Sequence, residues 1–79
     1  MDYNRVVAAN IRKCRRAAGL TQAALAEEVG ISPQHLSKIE RCVSSPTVNT
    51  LAKIAECLNV KPGRFFDECD IESFMYLYF

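Results

Sequence analysis

Residues 20–41 read LTQAALAEEVGISPQHLSKIER, and this stretch decides the fold. Thr21 can cap a short helix that ends at Gly30, a residue whose missing Cβ suits a left-handed turn. Ser32 can cap a following helix, and Pro33 fits its first position, where a backbone N–H has no partner within the helix. The stretch therefore predicts two short helices joined by a tight turn.

The second helix of this pair has one apolar and one polar face. Leu36 and Ile39 are three residues apart and lie on the same side, which we expect to pack inward. The first helix, near 22–29, keeps one face apolar through Leu25 and Val29. The remaining side chains of the second helix can all form hydrogen bonds, namely Gln34, His35, Ser37, Lys38 and Arg41.

This pattern indicates a helix-turn-helix unit. Two short helices braced at about a right angle form no cleft. They can, however, present the second helix to the major groove of DNA, which is ~12 Å wide, so that polar side chains meet base edges. The pattern thus favours a nucleic-acid ligand.

Amphipathic segments flank the pair. The upstream apolar residues recur in steps of four, three and four, which predicts a helix over about 4–18 that ends at Gly19. Downstream, Thr47 can cap a fourth helix, and Pro62 can open a fifth near 62–68 with Phe65 and Phe66 packing back. The apolar face expected for the fourth helix comprises Val48, Leu51, Ile54, Ala55 and Leu58.

The composition bounds the chain to one small helical domain. It has 79 residues, of which 49% are hydrophobic and 24% charged, with three Gly and three Pro. Residues 1–42 carry seven basic and four acidic residues, a net +3, whereas residues 43–79 carry three and five, a net −2. The basic half is the candidate for an anionic ligand, and a solvated helix face is the alternative explanation of this modest excess.

The cysteines do not follow a metal-binding pattern. Cys14, Cys42, Cys57 and Cys69 are 28, 15 and 12 residues apart, with no CxxC pair, so we expect no metal site and no cofactor. The first residues lack the apolar run of a signal peptide, and no stretch is long enough to span a membrane. We therefore expect a cytoplasmic protein with free thiols, Cys14 being buried.

Catalytic motifs are also absent from the sequence. There is one His, no HExxH motif, no Gly-rich phosphate loop and no nucleophile elbow. No pocket for a small-molecule ligand can be inferred. We expect that the protein is not an enzyme.

Several segments match one known pattern. They are Ile11-Arg12 through Arg15, Ala18-Gly19-Leu20-Thr21-Gln22, Leu25-Ala26, Val29-Gly30-Ile31-Ser32, Leu36-Ser37, Ile39-Glu40-Arg41, Pro46, Leu51-Ala52-Lys53-Ile54-Ala55 and Leu58-Asn59-Val60. On these residues the sequence resembles the phage-repressor/Cro-like, or xenobiotic-response-element (XRE), helix-turn-helix transcriptional regulators over about residues 5–66. The resemblance implies an all-α, five-helix repressor-type domain, which we assign to residues 1–69, with a short aromatic C-terminal tail at 70–79.

The resemblance also implies a function: a sequence-specific regulator, expected to be a repressor, that inserts helix three into the major groove of double-stranded DNA. The expected DNA-binding residues are Thr21, Gln22, Ser32, Gln34, His35, Ser37, Lys38, Arg41 and Ser44. Gln34 is the first candidate for base readout because an amide can form two hydrogen bonds with adenine, and Lys38 can donate to guanine or to a phosphate. His35 either contacts DNA or is merely tolerated at the third position of its helix.

One ion pair is implied by the family pattern, in which the positions of Arg15 and Glu40 are commonly paired across helices one and three. A contact between Arg15 and a phosphate is the alternative. Three departures from the pattern stand out. Ala24 cannot close a capping box, so Thr21 caps helix two alone; Cys42 replaces the usual left-handed Gly; and the loop after it lacks a basic residue, so hydroxyls and backbone N–H groups must make its phosphate contacts.

The C-terminal tail is strongly aromatic. Three interpretations remain open: core packing, a two-fold dimer interface, or the start of a further domain. We favour a homodimer on a palindromic operator, because pairing doubles the contacts to DNA. Its expected interface comprises Phe65, Phe74, Tyr76, Tyr78 and Phe79. The alternative function is a protein-binding module of the same fold, such as an antitoxin-like or anti-repressor partner.

Overall fold

Side-chain caps set the starts of the four α-helices in the computed structural model, which describes residues 2–67. The helices are α1 (Tyr3–Ala17), α2 (Gln22–Val29), α3 (Pro33–Glu40) and α4 (Val48–Cys57). Each first turn is closed by an oxygen that accepts a backbone N–H at 3.0–3.1 Å, from Asp2, Thr21, Ser32 and Thr47 respectively. The predicted caps of α2, α3 and α4 are confirmed, whereas the Asp2 cap was not predicted and α1 lies one residue earlier than the predicted range of about 4–18.

The residues after α4 form a short 3₁₀ helix, Pro62–Phe66, instead of a fifth α-helix. Five residues that begin with Pro and include Gly have weak α-helical propensity. In addition, the side-chain amide of Asn10 binds the carbonyl oxygens of Phe65 and Asp67, at 2.9 and 3.1 Å. The Phe65 carbonyl therefore accepts a side-chain donor at the point where a longer α-helix would continue. No strand occurs within residues 2–67.

The core lies where α1, α2, α3, α4 and the 3₁₀ helix meet. Buried side chains from all five elements form one cluster: Val7, Ile11, Cys14, Leu25, Ala26, Val29, Leu36, Ile39, Ile54, Ala55, Leu58 and Phe65. The expected inward faces of α2 and α3 are confirmed. Cys14 is buried and unpaired, as expected.

Two residues expected to pack inward do not. Val48, in the first turn of α4, is 84% exposed. Burial increases along the helix, through the partly buried Leu51 to the fully buried Ile54. Phe66 is 45% exposed, since the adjacent Phe65 takes the core-facing position of the short 3₁₀ helix.

The structure also corrects one expected interface residue. Phe65 is fully buried inside its own chain, so its ring cannot belong to a dimer interface. Phe65 is the residue through which the 3₁₀ helix packs into the core cluster. The other expected interface residues, Phe74, Tyr76, Tyr78 and Phe79, lie outside the described residues, as do Cys69 and the predicted boundary between residues 69 and 70.

Candidate nucleic-acid interface

The outward face of α3 is polar and accessible. Gln34, His35 and Lys38 are exposed, and Ser37 is half-buried. One shallow surface depression is lined by Pro33, Gln34, Ser37, Lys38 and Arg41. Four of the residues expected to bind DNA, namely Gln34, Ser37, Lys38 and Arg41, therefore line one surface of α3 and its C-terminal cap.

Two cationic side chains, Lys38 and Arg41, occur on this face, and in the described part of the chain only Arg41 is held by a hydrogen bond to a neighbouring side chain. Arg41 Nε donates to Ser37 Oγ at 3.1 Å, one helical turn back, which orients the guanidinium along the helix. The ammonium of Lys38 has no ion-pair partner among residues 2–67. Lys38 thus carries a positive charge without an ion pair in this range, whereas the guanidinium of Arg41 is held in one direction by its hydrogen bond to Ser37.

The two N-terminal caps hold the hydroxyls expected at the interface. Thr21 Oγ1 accepts the N–H of Ala24, and Ser32 Oγ accepts the N–H of His35, each at 3.0 Å. Each hydroxyl keeps its own hydrogen available to donate, because a capping oxygen acts as an acceptor. His35 occupies the third position of α3, where its backbone completes the cap and its ring is exposed.

The loop after α3 uses its backbone donors internally. The N–H groups of Val43 and Ser44 both donate to the Lys38 carbonyl, at 2.8 and 3.2 Å. The expectation that backbone N–H groups of this loop would bind phosphate is therefore wrong for these two residues, and the hydroxyl of half-buried Ser44 remains as a donor. Cys42 has a φ of 63°, which confirms the expected left-handed conformation at a non-glycine residue.

The turn between α2 and α3 is closed by two hydrogen bonds to one carbonyl. The N–H groups of Gly30 and Ile31 donate to Ala26 O at 2.9 and 3.0 Å, and Gly30 has a φ of 88°. A side chain at Gly30 would be strained by that φ whatever space surrounds it. The glycine thus permits the sharp turn that sets α3 against α2.

Behind the outward face, a buried ion pair joins α1 to α3. Arg15 Nε donates to Glu40 Oε2 at 2.7 Å and Arg15 Nη2 to Glu40 Oε1 at 3.0 Å. The two side chains are only 10% and 1% exposed. Arg15 Nη1 also donates to the Leu20 carbonyl at 2.8 Å, so the guanidinium binds the α1–α2 turn as well. This geometry restrains the last residue of α3 against α1.

Gln22 takes part in the same network, which the sequence interpretation did not anticipate. Its Nε2 donates to Glu40 Oε1 at 3.1 Å. An amide nitrogen carries two hydrogens, so a second one remains for another acceptor. No local pattern signals this contact, because the two residues are 18 positions apart.

The thiols differ in their surroundings. Cys42 is exposed, whereas Cys57 is half-buried. Burial raises the pKa of the Cys57 thiol above its ordinary value, and the negative charges of Glu28 and Glu56 raise it further. Within residues 2–67 no group of three or more His, Cys, Asp and Glu side chains could hold a metal ion. The described helices include none long and apolar enough to cross a membrane.

The paired helices α2 and α3, their glycine turn and the polar outward face define a helix-turn-helix protein. The profile of the Helix-turn-helix family (HTH_3) matches residues 11–65. The chain therefore belongs to this XRE-type family of helix-turn-helix transcriptional regulators.

Relatives and solved structures agree with that assignment. The uncharacterized HTH-type transcriptional regulator y4dJ of Sinorhizobium fredii is 42% identical over 60 residues, covering 76% of this chain and 78% of y4dJ. The HTH-type transcriptional regulator SutR of Escherichia coli is 45% identical over 61 residues, which are 77% of this chain but 34% of SutR. The P22 c2 repressor, crystallised with a synthetic operator, is 28% identical with a TM-score of 0.72, covering 77% of this chain and 92% of the repressor.

Proposed function

We propose that the protein is a sequence-specific double-stranded DNA-binding regulator that inserts α3 into the major groove and acts as a repressor. The observation that carries this proposal is the exposed polar face of α3, on which Gln34, Ser37, Lys38 and Arg41 line one surface. Amide, hydroxyl and cationic groups in this arrangement fit base edges and phosphates. The similarity to the P22 c2 repressor, whose structure includes an operator, supports the same proposal.

We assign each side chain at the proposed interface a role according to its exposure and the hydrogen bonds that hold it. Gln34 is exposed and reads a base edge, while Lys38 and the hydroxyls of Thr21, Ser32 and Ser44 contact the DNA backbone. Gln22 uses its second amide hydrogen for a phosphate while its first stays bound to Glu40. The buried pair of Arg15 and Glu40 sets the direction of α3 without touching DNA.

We further propose that the regulator binds as a two-fold homodimer to a palindromic operator. One α3 helix reads about four or five base pairs, so a second copy is needed for useful specificity. The aromatic tail residues Phe74, Tyr76, Tyr78 and Phe79 are the proposed interface, because an uncharged aromatic run is rarely left exposed to solvent.

The decisive experiment is a selection of bound sequences from random duplex DNA, followed by titration of the selected site at increasing salt. The expected result is a symmetric site whose half-sites are one helical turn apart, with affinity falling steeply as salt rises. Lys38→Gln should reduce the salt dependence. Recovery of no preferred sequence, together with salt-insensitive binding, would contradict the proposal and favour the protein-binding alternative.

A further inference from the structure

A second surface, formed by residues near the two ends of the described chain, carries an exposed aromatic pair. Tyr3, in the first turn of α1, is 52% exposed, and Phe66, at the end of the 3₁₀ helix, is 45% exposed. Their ring centroids are 6.1 Å apart, within the range of aromatic contact. We call this pair and the neighbouring Asn10 the aromatic platform.

The platform continues along one face of α1. Tyr3, Val6 and Asn10 follow one another at steps of three and four residues, so they share a side of the helix. Val6 is almost fully buried, although it does not belong to the core cluster. Val6 and Asn10 are thus already covered within the described residues, and the rings of Tyr3 and Phe66 are the exposed part of this region.

Asn10 ties this face to the point where the described chain ends. Its Nδ2 donates to the carbonyls of Phe65 and Asp67, the last at 3.1 Å. The other atom of the same amide, Oδ1, is buried and has no hydrogen-bond donor among residues 2–67. A buried amide oxygen favours a donor. The chain continues beyond Asp67, whose carbonyl the same amide binds.

We propose that the aromatic platform is the docking site for residues 71–79 of the same chain. That segment reads IESFMYLYF, with seven apolar residues among nine and no charge after Glu72. The segment begins four residues after Asp67, which Asn10 holds beside the platform, so the tail is present there at high effective concentration. The Asn10 amide oxygen accepts a backbone N–H from the chain beyond Asp67.

Docking of this kind is compatible with the proposed homodimer. Residues 74–79 are apolar at every position, so the segment is apolar on more than one side whatever its conformation. The platform covers one side, and another remains for a second copy. The docking site itself does not rest on DNA binding, so the two proposals can fail independently.

A site-specific cross-link tests the docking directly. The photoreactive residue p-benzoylphenylalanine replaces Phe66 in the full chain, and a matched variant carries it at Val48, which is also exposed but lies at the start of α4. Each ¹⁵N-labelled variant is mixed with its unlabelled form before irradiation, and the cross-linked peptides are identified by mass spectrometry. We expect cross-links from position 66 to residues 71–79 within chains of one isotope, and none from position 48 to that segment.

Two outcomes would overturn the proposal. Cross-links that join labelled to unlabelled chains would make a second copy the occupant of the platform. Absence of any cross-link from position 66 to residues 71–79, or equal cross-linking from position 48, would show that the platform does not seat the tail.

Limited proteolysis supplies a second measurement that needs no unnatural residue. Chymotrypsin cleaves after aromatic residues, and its cleavage at Phe74, Tyr76 and Tyr78 reports how often the tail leaves the platform. Tyr3→Ala and Phe66→Ala should each accelerate tail cleavage by about two- to tenfold, the loss expected for one aromatic contact. Val48→Ala should leave the rate unchanged. An unchanged rate in both platform variants, with intact helical circular dichroism, would contradict docking.

Discussion

The side-chain amide of Gln22 donates to Glu40 Oε1 at 3.1 Å, which joins the first residue of α2 to the last residue of α3. The same carboxylate receives two hydrogen bonds from Arg15. The Arg15 guanidinium in turn binds the carbonyl of Leu20, in the turn before α2. Three helices and one turn are thus fixed relative to one another through a single buried carboxylate.

The first prediction concerns this carboxylate. Glu40→Ala should lower the free energy of unfolding by about 3–5 kcal/mol, because it leaves the buried Arg15 guanidinium without its partner. Thermal melting monitored by circular dichroism measures the loss. Glu28→Ala, which removes an exposed carboxylate from α2, is the matched control and should have little effect. Equal melting temperatures for the two variants would contradict the stabilising role of the pair.

The sequence was sufficient to predict the helix-turn-helix unit, because its signals are local. Thr21, Gly30, Ser32 and Pro33 each act within one helical turn, and the observed bounds of α2 agree with the predicted range of 22–29. These local signals can be read without knowledge of the rest of the chain. The left-handed conformation at Cys42 was expected from the family resemblance, in which glycine is usual at that position, and the φ of 63° confirms it.

Contacts between distant residues could not be predicted in the same way. Asn10 binds the carbonyl of Phe65, 55 residues later, and backbone carbonyls leave no signature in a sequence. Phe65 and Phe66 are chemically identical neighbours, yet one is in the core and the other is nearly half exposed. Only the direction of the 3₁₀ helix distinguishes them, and Asn10 helps to set that direction.

The second prediction concerns base readout. Gln34→Ala should weaken binding to the selected operator by about 1–3 kcal/mol and relax the preference at one or two base positions, because the amide is lost from the base edge. Affinity for random duplex should barely change. Fluorescence anisotropy with both duplexes provides the measurement.

Lys38→Ala serves as the comparison for Gln34→Ala, since it removes a charge from the same face. It should weaken binding to both duplexes to a similar extent. Equal losses on both duplexes for Gln34→Ala would identify Gln34 as a backbone contact instead.

The third prediction concerns the strain at Cys42. Cys42→Gly should stabilise the fold by about 0.5–1 kcal/mol, because relief of the left-handed conformation at φ 63° exceeds the added entropy of the unfolded chain. The shift of the urea midpoint measures the gain. Asn59 also has a positive φ, of 57°, but Asn tolerates this conformation. Asn59→Gly should therefore give a smaller gain, and the reverse order would refute the argument from strain.

The fourth prediction concerns the Asn10 amide. Asn10→Asp replaces the donor by a carboxylate that faces the carbonyls of Phe65 and Asp67, and should destabilise the fold by about 3 kcal/mol. Burial beside two carbonyls raises the pKa of the new carboxyl group. The loss should therefore be smaller at low pH, where the group is protonated, and grow as pH rises. Chemical denaturation at several pH values, with exposed Asn49→Asp as control, tests both statements.

The last prediction concerns the apolar end of the chain. Deletion of Phe74 to Phe79 should convert the proposed homodimer into a monomer, because it removes the uncharged aromatic run from a domain too small to leave such a run unused. Sedimentation of the truncated chain measures the change, and operator affinity should fall with it since two half-sites are no longer bound together. The helical circular dichroism of α1 to α4 should persist, because the core cluster lies within residues 7–65. A truncated chain that remains a dimer would place the interface elsewhere, and one that unfolds would show that the tail completes the core.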